Sequence, residues 1–112
     1  IKLCDTIADN ASSAGWVLGE ARVSPKDIDI RNIDAVLTKN GEVVAKGRSD
    51  AVLGNPVTAV AWLARKVEGF GVRLKAGNIV LPGSCTRAID AVPGSNFVAD
   101  FTGLGSVRLS FD

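Results

Sequence analysis

Apolar and polar positions alternate most clearly near the end of the chain. Residues 106–111 alternate strictly, which places Val107, Leu109 and Phe111 on one face of a predicted strand. Residues 96–101 form the predicted strand before it, and the glycines of residues 103–105 suit a tight turn between the two. The pattern therefore predicts an antiparallel pair at this end.

A second hairpin is predicted around Asn40 and Gly41. Residues 33–38 alternate partially, and residues 42–47 return after the Asn-Gly pair. Asn-Gly tolerates the positive φ angles of a type I′ turn, the turn that fits a two-residue hairpin. The glycine-bounded apolar run at residues 14–19 and the run at residues 79–81 predict two further short strands.

A helical period occupies the middle of the chain. Asn55 is a suitable N-cap, Pro56 suits the first helical position, and Gly69 follows the last helical residue. One apolar stripe is widened by further apolar positions, so we expect the first half to be buried on most sides. The residues concerned are Val57, Val60, Ala61, Trp62, Leu63, Ala64 and Val67. Such a helix needs more apolar surface around it than this chain offers, which indicates an upstream segment or another subunit.

These elements predict a single α+β domain over residues 1–112. Its expected architecture is a β-rich mixed sheet or roll with one main buried helix. The hydrophobic fraction of 46% is enough for a core and excludes a disordered chain. The first thirteen residues are rich in Asp, Asn, Ser and Thr, which favour turns and caps.

Charge and composition exclude several classes of partner. The net charge is +1 with no block of like charge, so we expect neither nucleic acid nor an anionic membrane as partner. No apolar run approaches the roughly 20 residues of a bilayer span. The start of the chain carries no export signal, so we expect a cytoplasmic protein with Cys4 and Cys85 as free thiols.

The chain contains no histidine, which removes whole reaction classes. Ser–His and Cys–His nucleophile pairs and His-ligated zinc cannot be built from it alone. Acid–base chemistry has to use carboxylates, lysine, water or hydroxyl groups, and any metal would be a hard, oxygen-ligated cation.

Candidate chemistry lies in the PGSCT stretch of residues 82–86, directly after the predicted strand 79–81. The residues by themselves favour a simple strand-terminating turn. The functional alternative is a cradle in which the Gly83 and Ser84 amides, with the Ser84 hydroxyl, receive a carboxylate or an oxyanion.

Three stretches carry a resemblance to a known family: DTIADNASS at residues 5–13, LPGSCT at residues 81–86 and GLGS at residues 103–106. Through them the chain resembles the 2-hydroxypenta-2,4-dienoate (2-keto-4-pentenoate, vinylpyruvate) hydratases of the fumarylacetoacetate hydrolase superfamily. The resemblance covers essentially the whole chain but only the C-terminal part of such an enzyme. It implies the fold of that C-terminal part, a homo-oligomeric assembly, and a lyase of the meta-cleavage pathway of aromatic hydrocarbon catabolism.

The resemblance also implies site residues. It points to Ser84 and Ser12 as catalytic residues, and to Asn10, Gly83, Thr86 and Lys2 as residues that bind a small 2-oxo or 2-hydroxy-dienoate. Lys2 sits where these enzymes place a lysine, although a lone lysine is ordinarily solvated. Asp5 and Asp9 are four apart, which does not by itself make a catalytic dyad.

A divalent cation is implied by the resemblance but finds no ligands here. The family holds Mg²⁺ or Mn²⁺ with a Glu-x-Glu pair and a third acidic residue, all upstream of the matching segment. This chain has no Glu-x-Glu, and Glu20, Glu42 and Glu68 are isolated, so no metal ligand is assigned. The chain is then either the C-terminal portion of a longer enzyme or a fragment that kept its fold and lost its chemistry.

Two alternatives to the hydratase stay open. One is the sister activity, decarboxylation of 4-oxalocrotonate (2-oxo-hex-3-enedioate), whose second carboxylate needs a further cation; Arg87 is the candidate. The wording of residues 81–86 is more similar to the hydratases. The other alternative is a non-catalytic structural module, which the missing acidic residues favour.

Overall fold

One antiparallel sheet forms the body of the molecule. The structure, a computed structural model, describes residues 2–112. The described helices are α1 (Leu3–Ala8) and α2 (Pro56–Glu68), and the strands are β1 (Asp34–Lys39), β2 (Glu42–Arg48), β3 (Asn96–Phe101) and β4 (Gly105–Ser110). The strand order is β2-β1-β3-β4, and every neighbouring pair is antiparallel rather than mixed. A four-stranded sheet with one main helix confirms the predicted α+β class.

Both predicted hairpins are present. Asn40 and Gly41 have φ angles of 51° and 87°, so both central residues are positive, as a type I′ turn requires. The β1–β2 register shifts after Leu37, which faces Ala45 while Thr38 faces Val43, so one residue of β2 bulges. The β3–β4 turn is closed by the Leu104 N–H, which donates to the Phe101 carbonyl at 3.0 Å.

The two further predicted strands are wrong. Residues 14–19 and 79–81 are in neither a strand nor a helix. Apolar β-formers make a strand only where another backbone offers a ladder, and the backbone of residues 79–81 makes no hydrogen bond within the described part of the chain. Residues 17–19 line a cleft together with β4, but no strand is assigned to them.

The start of the chain is more helical than predicted. Turns and caps were expected, but residues 3–8 form a short α-helix whose first turn is closed by the Lys2 N–H donating to the Asp5 carboxylate at 3.0 Å. A 3₁₀ turn, Asn10–Ser12, follows. Aspartate at the third helical position accepts an otherwise unpaired N–H. Polar residues that were expected to cap a turn therefore start a helix in this segment.

Helix α2 forms where predicted but is not buried by this chain. The Asn55 side chain accepts the Val57 N–H at 3.0 Å, Pro56 opens the helix and Gly69 caps its end. None of its residues is buried, and Trp62 is 56% exposed, which corrects the expectation of burial on most sides. Among the described helices and strands, the main contact of α2 is with the 3₁₀ turn Ile30–Asn32. No helix within residues 2–112 is long and apolar enough to cross a bilayer.

The core is small for a chain of this length. Its buried side chains are Ile33, Ala35, Val52, Ser95 and Phe97, with Phe111 edge-on to Phe97 at 5.8 Å. The accessible area is 8486 Å², whereas a folded monomer of 11.6 kDa exposes about 5,800 Å². The fold therefore exposes more surface than a compact monomer of its mass, and large apolar side chains such as Leu53 and Phe70 are part of that surface.

Candidate functional site

The candidate site is built around residues 82–86, which we call the corner. The Ser84 Oγ donates to the Thr86 carbonyl at 2.7 Å and accepts the Thr86 N–H at 3.2 Å. These two bonds close a tight turn, which is the ordinary role predicted for such residues. The single hydroxyl proton is thus engaged with Thr86, and it has to rotate away before Ser84 can donate to another group.

Two backbone amides of the corner have no such engagement. Gly83 and Ser84 are exposed, and neither N–H donates a hydrogen bond within residues 2–112. Gly83 has φ 129°, a backbone conformation that side chains disfavour, so glycine is the natural residue there. Adjacent unpaired amides are the donors that receive a carboxylate or a developing oxyanion.

Strand β2 and Val52 hold the corner in place. A Cβ built on Gly47 would lie 1.9 Å from the Cys85 carbonyl oxygen, so the corner backbone rests directly on β2. A Cβ on Gly83 would lie 3.3 Å from a methyl group of the buried Val52. The sequence indicated that a strand at residues 79–81 supports the corner. The supporting strand is instead β2, an edge strand more than thirty residues earlier in the chain.

The residues after the corner are fastened to the same edge of the sheet. The Arg87 guanidinium donates to the Val44 carbonyl at 3.3 Å, and Val44 is the bulged residue of β2. Lys39 donates from Nζ to the Asp90 carbonyl at 2.8 Å and lies 5.7 Å from the centre of the Phe97 ring. Arg87 is exposed, so its cation remains accessible to an anion in solution.

The remaining predicted site residues lie in the first segment of the chain. Lys2, Asn10 and Ser12 are all exposed. Asn10, Ala11 and Ser12 have φ angles of 50°, 56° and 60°. A left-handed conformation costs a non-glycine residue roughly 1–2 kcal/mol, and backbone strain of this kind is concentrated at functional sites.

The structure groups the predicted residues in two sets. Gly83, Ser84 and Thr86 lie together in the corner, and Asn10 lies beside Ser12 in one 3₁₀ turn. Every hydrogen bond of residues 2–13 stays inside that segment, as far as the described residues go, and none reaches the corner. A cavity shared by Ser12 and Ser84 therefore stays a prediction.

Two overlapping clefts lie elsewhere, between residues 17–24 and the β3–β4 turn. Their volumes are about 600 and 580 Å³, and their walls include Val17, Leu18, Leu104 and Val107 but none of the predicted site residues. The guanidinium of Arg22 is engaged with three carbonyls of its own segment, at 2.6 to 3.3 Å. The first cleft has mainly apolar walls, which suit apolar contact, whereas Glu20 and Arg108 also line the second and make its walls about as polar as apolar.

The described residues do not fit a divalent metal site. No group of three His, Cys, Asp or Glu side chains within residues 2–112 comes together to hold an ion. Glu20, Glu42 and Glu68 are all exposed and lie on separate elements. Magnesium and manganese are held by converging oxygen ligands, and residues 2–112 do not bring three carboxylates together for this purpose.

One signal for the support of the corner was readable in the sequence. Gly47 is the last residue of the predicted strand 42–47 and lies inside the observed strand β2, and glycine inside a strand often marks a place where another backbone comes close. The identity of that other backbone was not readable, because Gly47 and Cys85 are brought together only by the fold.

Comparison with known proteins places this fold in a family. The fumarylacetoacetate (FAA) hydrolase C-terminal family matches residues 2–111. The chain is 44% identical over 99% of its length to 2-keto-4-pentenoate hydratase of Paraburkholderia phymatum, and 41% identical over 98% to 2-oxo-hept-4-ene-1,7-dioate hydratase of Escherichia coli. It spans 42% and 41% of those two proteins.

A solved enzyme has the same fold. Structures of 4-oxalocrotonate decarboxylase from Pseudomonas putida G7, with calcium and acetate and with magnesium and adipate, match with a TM-score of 0.90 at 39% identity. The match covers 96% of this chain and 41% of the decarboxylase. These relatives are enzymes, and the agreement extends over nearly all of the chain. The chain belongs to the fumarylacetoacetate hydrolase family, whose C-terminal domain it matches.

Proposed function

We propose that the protein containing this chain is a hydratase that adds water to 2-hydroxypenta-2,4-dienoate and releases 4-hydroxy-2-oxopentanoate. The observation that carries the proposal is the corner: two unpaired amides beside a serine hydroxyl, in a chain 44% identical to a 2-keto-4-pentenoate hydratase. We expect this activity to serve the breakdown of aromatic compounds in the cytoplasm.

The corner orients the substrate. The Gly83 and Ser84 N–H groups receive the carboxylate, which fixes the chain of the dienol relative to the attacking water. The enol loses its O2 proton and gains one at C5; water then adds its oxygen at C4 and a proton at C3. Ser84 donates to a substrate oxygen as charge develops, at the expense of its bond to Thr86.

Asn10, Ser12 and Lys2 are proposed to border the same pocket in the complete protein. They stand on a separate segment here, so their approach to the corner depends on the assembled molecule. We also propose that a divalent cation, Mg²⁺ or Mn²⁺, is held by acidic residues outside this chain, since the described residues offer no ligand set.

Replacement of Ser84 by alanine tests the proposal. In the protein expressed from the whole reading frame, called the complete protein below, Ser84→Ala should lower turnover of the dienoate by roughly ten- to a thousandfold. The control is Ser110→Ala, which removes another exposed, hydrogen-bonded serine hydroxyl from β4 at a distance in sequence from the corner. Wild-type turnover by Ser84→Ala would reject the catalytic role of the hydroxyl.

Decarboxylation of 4-oxalocrotonate is the second candidate, because the matched solved structures are of a 4-oxalocrotonate decarboxylase. That substrate carries a second carboxylate, and Arg87 is an exposed cation next to the corner. Comparing turnover of the monocarboxylate dienoate with that of the dicarboxylate decides between the two. If the dicarboxylate is preferred, Arg87→Gln should raise the KM for the dicarboxylate at least tenfold. The KM for the monocarboxylate should stay unchanged.

A non-catalytic module is tested by calorimetry. Magnesium should release no heat with the 112-residue chain in the presence of oxalate, whereas the complete protein should bind the cation. If magnesium releases no heat with the complete protein either, the result would support the structural module and reject the hydratase. Heat from the short chain would reveal ligands that its geometry does not display.

The assembly is proposed to contain several identical subunits. The accessible area of 8486 Å² leaves apolar side chains such as Trp16, Leu53 and Phe70 in solvent. We infer that neighbouring subunits cover apolar side chains such as these, since an apolar patch exposed on one subunit is typical of an interface. Sedimentation of the complete protein should show a mass that is a multiple of one chain.

A further inference from the structure

The backbone of the corner lies close to the backbone of β2 at Gly47. A Cβ built there would lie 1.9 Å from the Cys85 carbonyl oxygen, 2.7 Å from its carbonyl carbon and 3.2 Å from the Thr86 methyl group. Two of these three atoms belong to backbone, which cannot rotate out of the way as a side chain does. The missing side chain of Gly47 is thus what lets the corner lie on the sheet.

The other contacts of the corner are more tolerant. Gly83 meets only the methyl groups of Val52, at 3.3 and 3.6 Å from a built Cβ. Arg87 is an exposed side chain on a single bond of 3.3 Å to Val44. The Val52 and Arg87 side chains can both change rotamer. Neither contact therefore fixes the distance between the corner and the sheet.

We propose that Gly47 is a positioning residue for the substrate-binding corner. It does not touch substrate; it acts by letting Cys85 rest on β2, which sets where the Gly83 and Ser84 amides point. The inference rests on the proposed function for its effect on turnover. Its structural part, the seating of the corner, is measurable without any substrate.

An alanine at position 47 displaces the corner by a predictable amount. Real Cβ atoms essentially never come within 3.0 Å of another heavy atom, so Cys85 has to move by roughly 1 Å. A misplacement of about 1 Å in groups that orient a substrate costs on the order of a hundredfold in rate. We therefore expect kcat/KM of Gly47→Ala to fall by about ten- to a hundredfold, with a weaker apparent affinity for oxalate.

Cys85 reports on the seating of the corner directly. It is a half-buried free thiol, whereas Cys4 is exposed. In the complete wild-type protein, N-ethylmaleimide should label Cys85 several-fold more slowly than Cys4, as read by mass spectrometry of the two peptides. In Gly47→Ala, labelling of Cys85 should accelerate several-fold while that of Cys4 stays unchanged.

Two variants separate positioning from general destabilisation. Gly69→Ala adds the same methyl group at a helix end where the nearest atom is 3.7 Å away, and it should leave labelling and kinetics at wild-type values. Ile33→Val trims the core and should lower the unfolding midpoint without changing the labelling of Cys85 well below that midpoint.

The outcomes are distinct. If Gly47→Ala keeps wild-type labelling and wild-type kinetics, the inference is wrong. If Gly47→Ala fails to fold, the wild-type rates decide: Cys85 labelled as fast as Cys4 overturns the inference, and a protected Cys85 supports it. If the wild-type protein does not turn over the dienoate, the proposed function fails, while accelerated labelling in Gly47→Ala still supports the seating of the corner.

Discussion

Backbone amides and the serine hydroxyl of the corner are in different situations. The hydroxyl of Ser84 makes two hydrogen bonds with Thr86, so its use by a substrate replaces an existing bond. The amides of Gly83 and Ser84 have no bond to lose within the described chain. An exposed amide gives up only water when it binds a ligand, whereas the hydroxyl also gives up its bond to Thr86. The amides should therefore contribute most of the binding and the hydroxyl most of the change during reaction.

A second residue-scale feature is the acidic turn at Asp29. The Arg31 N–H donates to its carboxylate at 3.1 Å, and the Asn32 side-chain amide donates to the other oxygen. These hydrogen bonds, the one from the Arg31 backbone first, hold the pKa of Asp29 below its usual 3.8. A depressed pKa stabilises the folded state above pH 3.8, and this contribution is lost as the pH falls through the lower folded value.

Asp29→Asn should therefore flatten the acid dependence of stability. The asparagine can still accept the Arg31 N–H but does not titrate, so the difference in urea midpoint between wild type and variant should be constant above pH 3.8 and shrink below it. The effect should be small because the carboxylate is exposed. Other carboxylates titrate in both proteins, so parallel curves at every pH would contradict the assignment.

At the scale of elements, local signals and tertiary signals separate clearly. Helix α2 starts at Pro56 because Asn55 accepts the Val57 N–H, and the β1–β2 turn has positive φ at Asn40 and Gly41. Both features are set within a few residues and were readable in advance. Residues 79–81 have the composition of a strand but do not pair with another strand. A strand forms only where a second backbone lies alongside, and the residues of one segment do not show whether that partner is present.

Asn55→Ala tests how much the cap of α2 contributes. Loss of the side-chain oxygen leaves the Val57 N–H without its partner and should lower the free energy of unfolding by about 1 kcal/mol, within a range of 0.5–2 kcal/mol. Asn55→Asp is the matched control, since it keeps an acceptor at the cap and should lie close to wild type. Equal losses in both variants, measured by urea denaturation, would show that the cap bond contributes nothing.

On the scale of the whole molecule, the described fold exposes more total surface than a compact monomer of its mass. The radius of gyration is 15.3 Å, against about 13 Å for a compact domain of this length. Trp16 and Trp62 are 55% and 56% exposed, although tryptophan ordinarily contributes to a core or an interface. The chain spans 42% of a 2-keto-4-pentenoate hydratase, and we propose that another protein segment or a neighbouring subunit covers this surface.

Trp62 distinguishes the isolated chain from the covered one. In the 112-residue chain, Trp62→Ala should lower the free energy of unfolding by only about 2 kcal/mol, because half of the side chain is already in water. In the complete protein the same change should cost about 3–5 kcal/mol if the helix face is covered there. Arg65→Ala, on the polar half of α2, should be neutral in both settings. Equal effects of Trp62→Ala in the two proteins would mean that α2 stays uncovered.

The sequence by itself determined the α+β class, the two hairpins, the cap and extent of α2, and the family to which the chain belongs. Each of these features depends on residues close together in the chain or on the similarity of its sequence to that of a known family. Contacts between distant residues were not needed to predict them. Tertiary structure alone decided that β2 carries the corner, since Gly47 and Cys85 meet only after the sheet has formed. Tertiary structure also decided that no residue of α2 is buried. The apolar pattern of a helix predicts which side chains favour burial, but the extent of burial depends on the surfaces that the folded chain places around the helix.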